Sequence, residues 1–198
     1  KTYRTEVTFY QQIAPRIAMR APKCYYAAID EDDVEHAVLM EDLAPARQGD
    51  QIGGCSPEIA HQAVMELVGL AAPTWQDDSW TEVLGRVKDG PFADMRGLYN
   101  RTMPGFVDLY AARMDPEHIR FIQAIGAAEQ CPLYEFHGEH FALEHYDFRL
   151  DNVLIDERSR PPTITTVDWQ SVRVGKPLQD VAFFIGSALA PDVRRSVE

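Results

Sequence analysis

The sequence predicts an α+β chain, with short strands flanking a helical middle. Three observations predict it. Helix starts are written at Ser56-Pro57-Glu58 and Asp115-Pro116-Glu117, each followed by apolar residues at helical spacing. Brief apolar runs of strand length, Cys24–Ile29, Ala37–Met40, Val153–Asp156 and Thr163–Val167, lie outside that middle. Between the middle and the last two runs, polar residues gather in His145–Asn152.

In order, Thr5–Ile13 sets positions 6, 9, 10 and 13 on one helical face, and Pro15 closes the helix. Glu6 flanks that apolar face. It reads either as a solvated charge or as the partner of a buried Lys. Between the first two strands, Asp30–Asp33 is an acidic turn, a solvated tip without the Gly and distal Glu of a calcium loop. Glu41–Pro45 turns away, and Gly49, Gly53 and Gly54 make a flexible loop. The helix from Ser56 keeps its spacing to Ala71. Thr74–Asp94 reads as loop with short helical pieces, its Trp75 and Trp80 capping the core or lining a cleft. A helix covers part of Met95–Met114. The next turns Ile119, Ile122, Ile125 and Ala128 inward and ends at Cys131-Pro132. Glu135–His145 reads as an exposed polar loop leading into a strand. Glu157–Pro162 joins the last two strands, and an apolar helix opens at Asp180.

Bulk properties narrow the function. A chain of 198 residues can bury a sizeable core. With 31 acidic and 19 basic residues, its net charge of −12 argues against a nucleic-acid partner. The acidity suits a cationic substrate, but many soluble proteins are acidic for solubility alone. Cys24, Cys55 and Cys131 are widely spaced and lack C-x-x-C, which fits a reducing cytosol rather than a disulfide framework or zinc knuckle. No apolar run reaches the length of a membrane span. Oligomeric state is not written in these features.

The chemistry concentrates in His145-Tyr146-Asp147-Phe148-Arg149-Leu150-Asp151-Asn152 and in Val167-Asp168-Trp169-Gln170. The pattern is H-x-D-x-x-x-x-N, then a strand, then a second strand ending in Asp. Transfer of a γ-phosphoryl group asks for an in-line hydroxyl, a group to accept its proton, and neutralised phosphate charge. Asp147 has the place of that base. Asn152 and Asp168 offer oxygen ligands of the kind magnesium takes. Arg149 is placed to contact the migrating phosphate, and His145 to brace the loop. Asp151 reads as an exposed neighbour or a structural acceptor. His137, His140 and His145 beside Asp147 raise a metal-dependent hydrolase as another class, although their spacing is not H-E-x-x-H.

On these residues the chain resembles the aminoglycoside phosphotransferase and choline kinase-like group of small-molecule kinases. It leans toward members that include the ecdysteroid kinase-like ones, with an Arg-Leu-Asp-Asn loop. The resemblance implies a protein kinase-like fold: a partial small lobe of helix and strands over residues 1–43, and a mainly helical large lobe with short catalytic hairpins over 44–198. It implies ATP and Mg as cofactors and a small-molecule hydroxyl as acceptor. Glu6 is similar to the small-lobe Glu that pairs with the ATP-binding Lys. Glu41, Asp42 and Leu43 resemble the hinge whose backbone holds adenine, and Asp180 resembles the Asp that braces the catalytic loop. Two departures stand out. Tyr146 replaces the usual Gly after the loop His, and no Gly-rich loop or strand-borne Lys precedes Glu6. The chain also opens without Met, directly in a helical pattern, so we expect a fragment whose acceptor site draws on Thr74–Arg113 and on helices beyond Glu198. A catalytically silent nucleotide-binding module of the same fold is the competing expectation.

Overall fold

The computed structural model describes residues 2–32, 35–84, 94–128 and 140–197. The chain forms two compact units, residues 1–84 with 139–198, and residues 85–138. The lobe boundary expected after Leu43 falls inside the first unit.

In the first unit, α1 (Thr2–Thr8) widens into a π turn over Phe9–Ile13 and tightens into a 3₁₀ turn over Ala14–Arg16. Pro15 has no N–H to continue the ladder, and the chain extends from Ile17. Val7, Phe9, Tyr10 and Ile13 are buried. The helix packs on the turn Trp169–Ser171 and on an antiparallel pair, β1 (Cys24–Ile29) and β2 (His36–Met40). In the turn between them Asp30 is half-buried and Glu31 and Asp32 are exposed, and Asp33 lies outside the described residues.

A second sheet has the order β3-β5-β6. Its hairpin, β5 (Val153–Asp156) and β6 (Thr163–Thr166), matches the sequence expectation. The two-residue β3 (Arg47–Gln48) adds an edge within the stretch read as loop. A third sheet pairs β4 (Ala142–Glu144) with β7 (Arg173–Gly175). Here the expectation of an exposed loop is corrected: Ala142 to His145 are buried. The structure of Glu135 to Glu139, including His137, lies outside the described residues.

α2 (Pro57–Ala71) is capped by Ser56, whose Oγ accepts the Ile59 N–H at 3.3 Å. Ala60, Ala63, Leu67 and Leu70 form its buried stripe. In the predicted loop, α3 (Ser79–Leu84) puts Trp80 in the core, whereas Trp75 is 47% exposed and stacks on His140. α6 (Pro177–Ala188) starts three residues before Asp180, because Pro177 takes the first-turn position where no N–H is needed. It buries Phe184 and Ala188, and α7 (Pro191–Val197) follows. Phe9, Leu67, Leu143, Phe148, Trp169 and Phe184 belong to one core that joins helices and sheets.

In the second unit, Asp94 caps α4 (Met95–Tyr110) by accepting the Gly97 N–H at 2.8 Å. Asp115 caps α5 (Pro116–Ala127) through the Glu117 N–H, also at 2.8 Å. The two helices pack together, and the Tyr99 hydroxyl donates to the Ile122 carbonyl at 2.9 Å. Ile119, Ile122, Ile125 and Ala128 are half-buried, as their spacing predicts. α5 ends at Ala127; the stop expected at Cys131-Pro132 lies outside the described residues.

Candidate active site

The loop between β4 and β5 is held from below. The His145 and Tyr146 N–H groups donate to the two carboxylate oxygens of Asp180, at 2.6 and 2.9 Å. Asp180 is buried; loss of solvent and then the charge of Glu144 push its carboxyl up to about 7, against these two N–H groups and Arg173. Tyr146 sits at φ 70°, in the left-handed region that costs an L residue about 1–2 kcal/mol. Its ring lies 3.1 Å from the Arg173 guanidinium, which pairs with buried Glu144 at 2.6 Å. A Tyr is therefore accommodated where the resembled group has Gly, with a cation–π contact against the strain.

His145 is buried against Phe148 and Trp169. Nε2 lies 3.0 Å from the Val167 carbonyl, and Nδ1 accepts the Asp147 N–H at 3.3 Å. Those partners assign the neutral ring with its proton on Nε2. Burial holds its pKa down at about 4, with the Val167 bond and the Asp147 charge opposing. Both ring nitrogens are engaged, which takes His145 out of the hydrolase ligand set. His140 stacks on Trp75 instead. No group of three or more metal-binding His, Cys, Asp or Glu occurs among the described residues.

Asp147, Asn152, Arg149 and Asp168 come together. The Asn152 amide nitrogen donates to the Asp147 carbonyl at 2.8 Å and to its carboxylate at 3.0 Å. Arg149 Nε lies 3.4 Å from the same carboxylate, and Nη1 donates to Asp151 at 2.7 Å. Asp168 lies two residues beyond β6, before a 3₁₀ turn, at φ 65°, a left-handed conformation that Asp tolerates better than most residues. Burial, then the negative charge of Asp147, raises its pKa, with Arg149 opposing. The Asp168 carboxylate and the amide oxygen of Asn152 are oxygen donors, of the kind that fits a hard cation.

Glu6 faces this cluster and is half-buried rather than solvated. Burial and the Asp168 charge raise its pKa, while the Trp169 N–H donates to it. Phe9 stacks on Trp169 with centroids 3.8 Å apart, and His145 meets the other ring edge-on at 4.7 Å. The column ties the π turn Phe9–Ile13 to both polar segments. Glu41 and Asp42 use their side chains locally: Glu41 accepts the Lys23 N–H at 2.8 Å, and Asp42 that of Ala44 at 2.9 Å. The Leu43 carbonyl accepts from Ala46 at 2.9 Å.

Gln48 and Gln51 were not singled out by the sequence. Gln51 Oε1 accepts the Leu150 N–H at 2.8 Å, and Gln48 Nε2 donates to the Asp151 carbonyl at 2.6 Å. The Gly49 N–H reaches the Val153 carbonyl at 2.9 Å. A Cβ on Gly49 would stand 2.7 Å from the Leu150 carbonyl oxygen, so only Gly permits this approach.

The fold is that of the aminoglycoside and macrolide phosphotransferases, built on protein kinase-like architecture. The GDP complex of an aminoglycoside 2'-phosphotransferase-IIIa mutant superposes with TM-score 0.63 at 14% identity, over 99% of this chain and 64% of that one. The gentamicin complex of APH(2")-IIa gives 0.59 at 15%, over 99% and 64%. Macrolide 2'-phosphotransferase MphH from Brachybacterium faecium gives 0.55 at 18%, over 98% and 63%. The chain thus spans just under two thirds of the length of these structures. No curated protein matches it in sequence. The chain belongs to the ecdysteroid kinase-like family, whose model matches residues 98–197, just over half of it.

Proposed function

We propose that this chain is the catalytic part of an enzyme that moves the γ-phosphoryl group of ATP to a hydroxyl of a small molecule. The observation that carries the proposal is the convergence of Asp147, Asn152, Arg149 and Asp168 at the ends of β5 and β6. Asp147 accepts the acceptor's proton as its oxygen bonds to the γ-phosphorus and the bond to the β-phosphate oxygen breaks, releasing ADP. Asn152 fixes the Asp147 carboxylate through its amide nitrogen, so the base needs no reorientation when the acceptor arrives. Arg149 lies beside the phosphate that migrates. Magnesium, held by Asn152 Oδ1 and Asp168, would neutralise phosphate charge. His145 stays neutral and braces the loop.

Residues 1–43 then contribute to the nucleotide lobe and hinge, with Glu6 toward the phosphates and Glu41 to Leu43 along the base; residues 44–198 contribute the catalytic lobe. Adenine suits a hinge that offers the Glu41 carbonyl and the Leu43 N–H, to which no group among the described residues bonds. The cytoplasm supplies ATP and suits the unpaired Cys24 and Cys55. The net charge of −12 favours a cationic acceptor. No helix among the described residues is long and apolar enough to cross a membrane.

The test is a full-length protein assayed for ATP consumption with magnesium against aminoglycosides, choline-like amines, sugars and sterols. Consumption that depends on one acceptor class supports the proposal. ATP binding without transfer to any of them would favour the catalytically silent module.

A further inference from the structure

Asp151 lies at the centre of a set of contacts that none of the roles above requires. Its Oδ2 takes Arg149 Nη1 at 2.7 Å, and its Oδ1 accepts the Gln51 N–H at 3.3 Å. Its carbonyl accepts Gln48 Nε2 at 2.6 Å. Gln51 adds two bonds through its side chain, from the Leu150 N–H at 2.8 Å and to the Ser187 carbonyl at 3.1 Å. The turn that carries Asp151 is thereby fixed from β3 and from α6. Arg149, in contrast, meets Asp147 only at 3.4 Å. Its guanidinium lies between two carboxylates and is bound closely by the one that is not the base.

The Arg149 and Asp151 side chains are 36% and 38% exposed. An ion pair so open to solvent contributes little to stability, so folding does not account for this construction. An Arg released from Asp151 has Asp147 as its nearest remaining carboxylate. It would then occupy the base and leave the place of the phosphate.

We propose that Asp151 is the positioning residue for Arg149: held in place by Gln48 and Gln51, it limits the guanidinium to a 3.4 Å contact with Asp147 and keeps it directed to the transferring phosphate. This rests on the phosphotransfer function proposed above. Asp151 touches no substrate, and its whole effect runs through Arg149.

A double-mutant cycle on the full-length enzyme tests it, with kcat and KM for ATP and acceptor measured for wild type, Asp151→Asn, Arg149→Ala and the double variant. Arg149→Ala is expected to lower kcat about 100-fold, as loss of one donor to developing charge does. Asp151→Asn keeps an acceptor for the Gln51 N–H and is expected to lower kcat about 10-fold, with nucleotide KM and urea midpoint within about 2-fold and 0.3 M of wild type. In the Arg149→Ala background the same change is expected to cost less than about 2-fold. Gln51→Met, which removes both side-chain bonds, provides an independent route to the same loss and the same disappearance without Arg149. Multiplicative losses in the double variants, or a kcat loss matched by a fall in urea midpoint, would overturn the positioning role in an enzyme that still transfers phosphate. A wild-type protein that transfers to no acceptor would instead remove the function on which the role rests.

Discussion

Acidification should destabilise the fold through His145 in a way that can be isolated. The neutral ring donates from Nε2 to Val167 and accepts the Asp147 N–H on Nδ1. A second proton would sit on Nδ1, facing that N–H, in a site closed to water. Its folded pKa is about 4 against an ordinary 6.5. The unfolded chain therefore binds the proton first. The stabilisation is present above pH 6.5 and is lost as pH falls toward 4. Linkage between those two values gives a loss of about 2.5 kcal/mol on going from pH 7.5 to pH 4.5. Glu6, Glu144, Asp168 and Asp180 carry raised pKa values, and they act in the opposite sense by favouring the fold as they take up protons. Wild type alone would mix these contributions. Comparison with His145→Gln, which retains a donor toward Val167, cancels the carboxylates. Urea denaturation at the two pH values should show the stability gap between the proteins narrowing by about 2.5 kcal/mol at pH 4.5. Parallel curves with a constant gap would refute the buried neutral histidine.

Phe9→Ala removes the ring stacked on Trp169 and should cost about 3–5 kcal/mol by chemical denaturation, with a loss of activity that exceeds the fraction unfolded. Arg173→Met leaves Glu144 buried without its 2.6 Å partner and should cost about 3–5 kcal/mol; Glu144→Gln in the same protein should restore part of it. Tyr146→Gly relieves a left-handed backbone but loses the ring against Arg173, so urea midpoints should move by no more than about 1 kcal/mol in equivalent stability.

Much of the fold was legible because its signals are local. The caps at Ser56 and Asp115 announce α2 and α5 within four residues, and the β5–β6 hairpin shows as two apolar runs around a polar turn. The polar residues of the loop before β5 are likewise contiguous, and Asp147 and Arg149 lie near enough to Asp168 to act on its charge. What escaped depends on distant partners. β4 and β7 are three residues each, and the buried Glu144–Arg173 pair breaks any alternation that would mark them. β3 has only two residues and exists through its pairing with Ile155 and Leu154. Gln48 and Gln51 bond to residues about a hundred positions on, and in sequence they stand in a Gly-rich stretch that reads as flexible. Asp151 was ambiguous for the same reason: Arg149 is beside it, but the group that holds its other oxygen is Gln51.

A base at Asp147, in a phosphotransfer site whose nucleotide is held by other residues, is the proposed role on which the chemistry turns. Its most direct test is phosphoryl transfer by full-length wild type and Asp147→Ala, followed by phosphorus NMR, with magnesium–ATP affinity measured on both by calorimetry. The variant is expected to lose transfer and to bind magnesium–ATP within a few-fold of wild type. Equal transfer by the two proteins would contradict it.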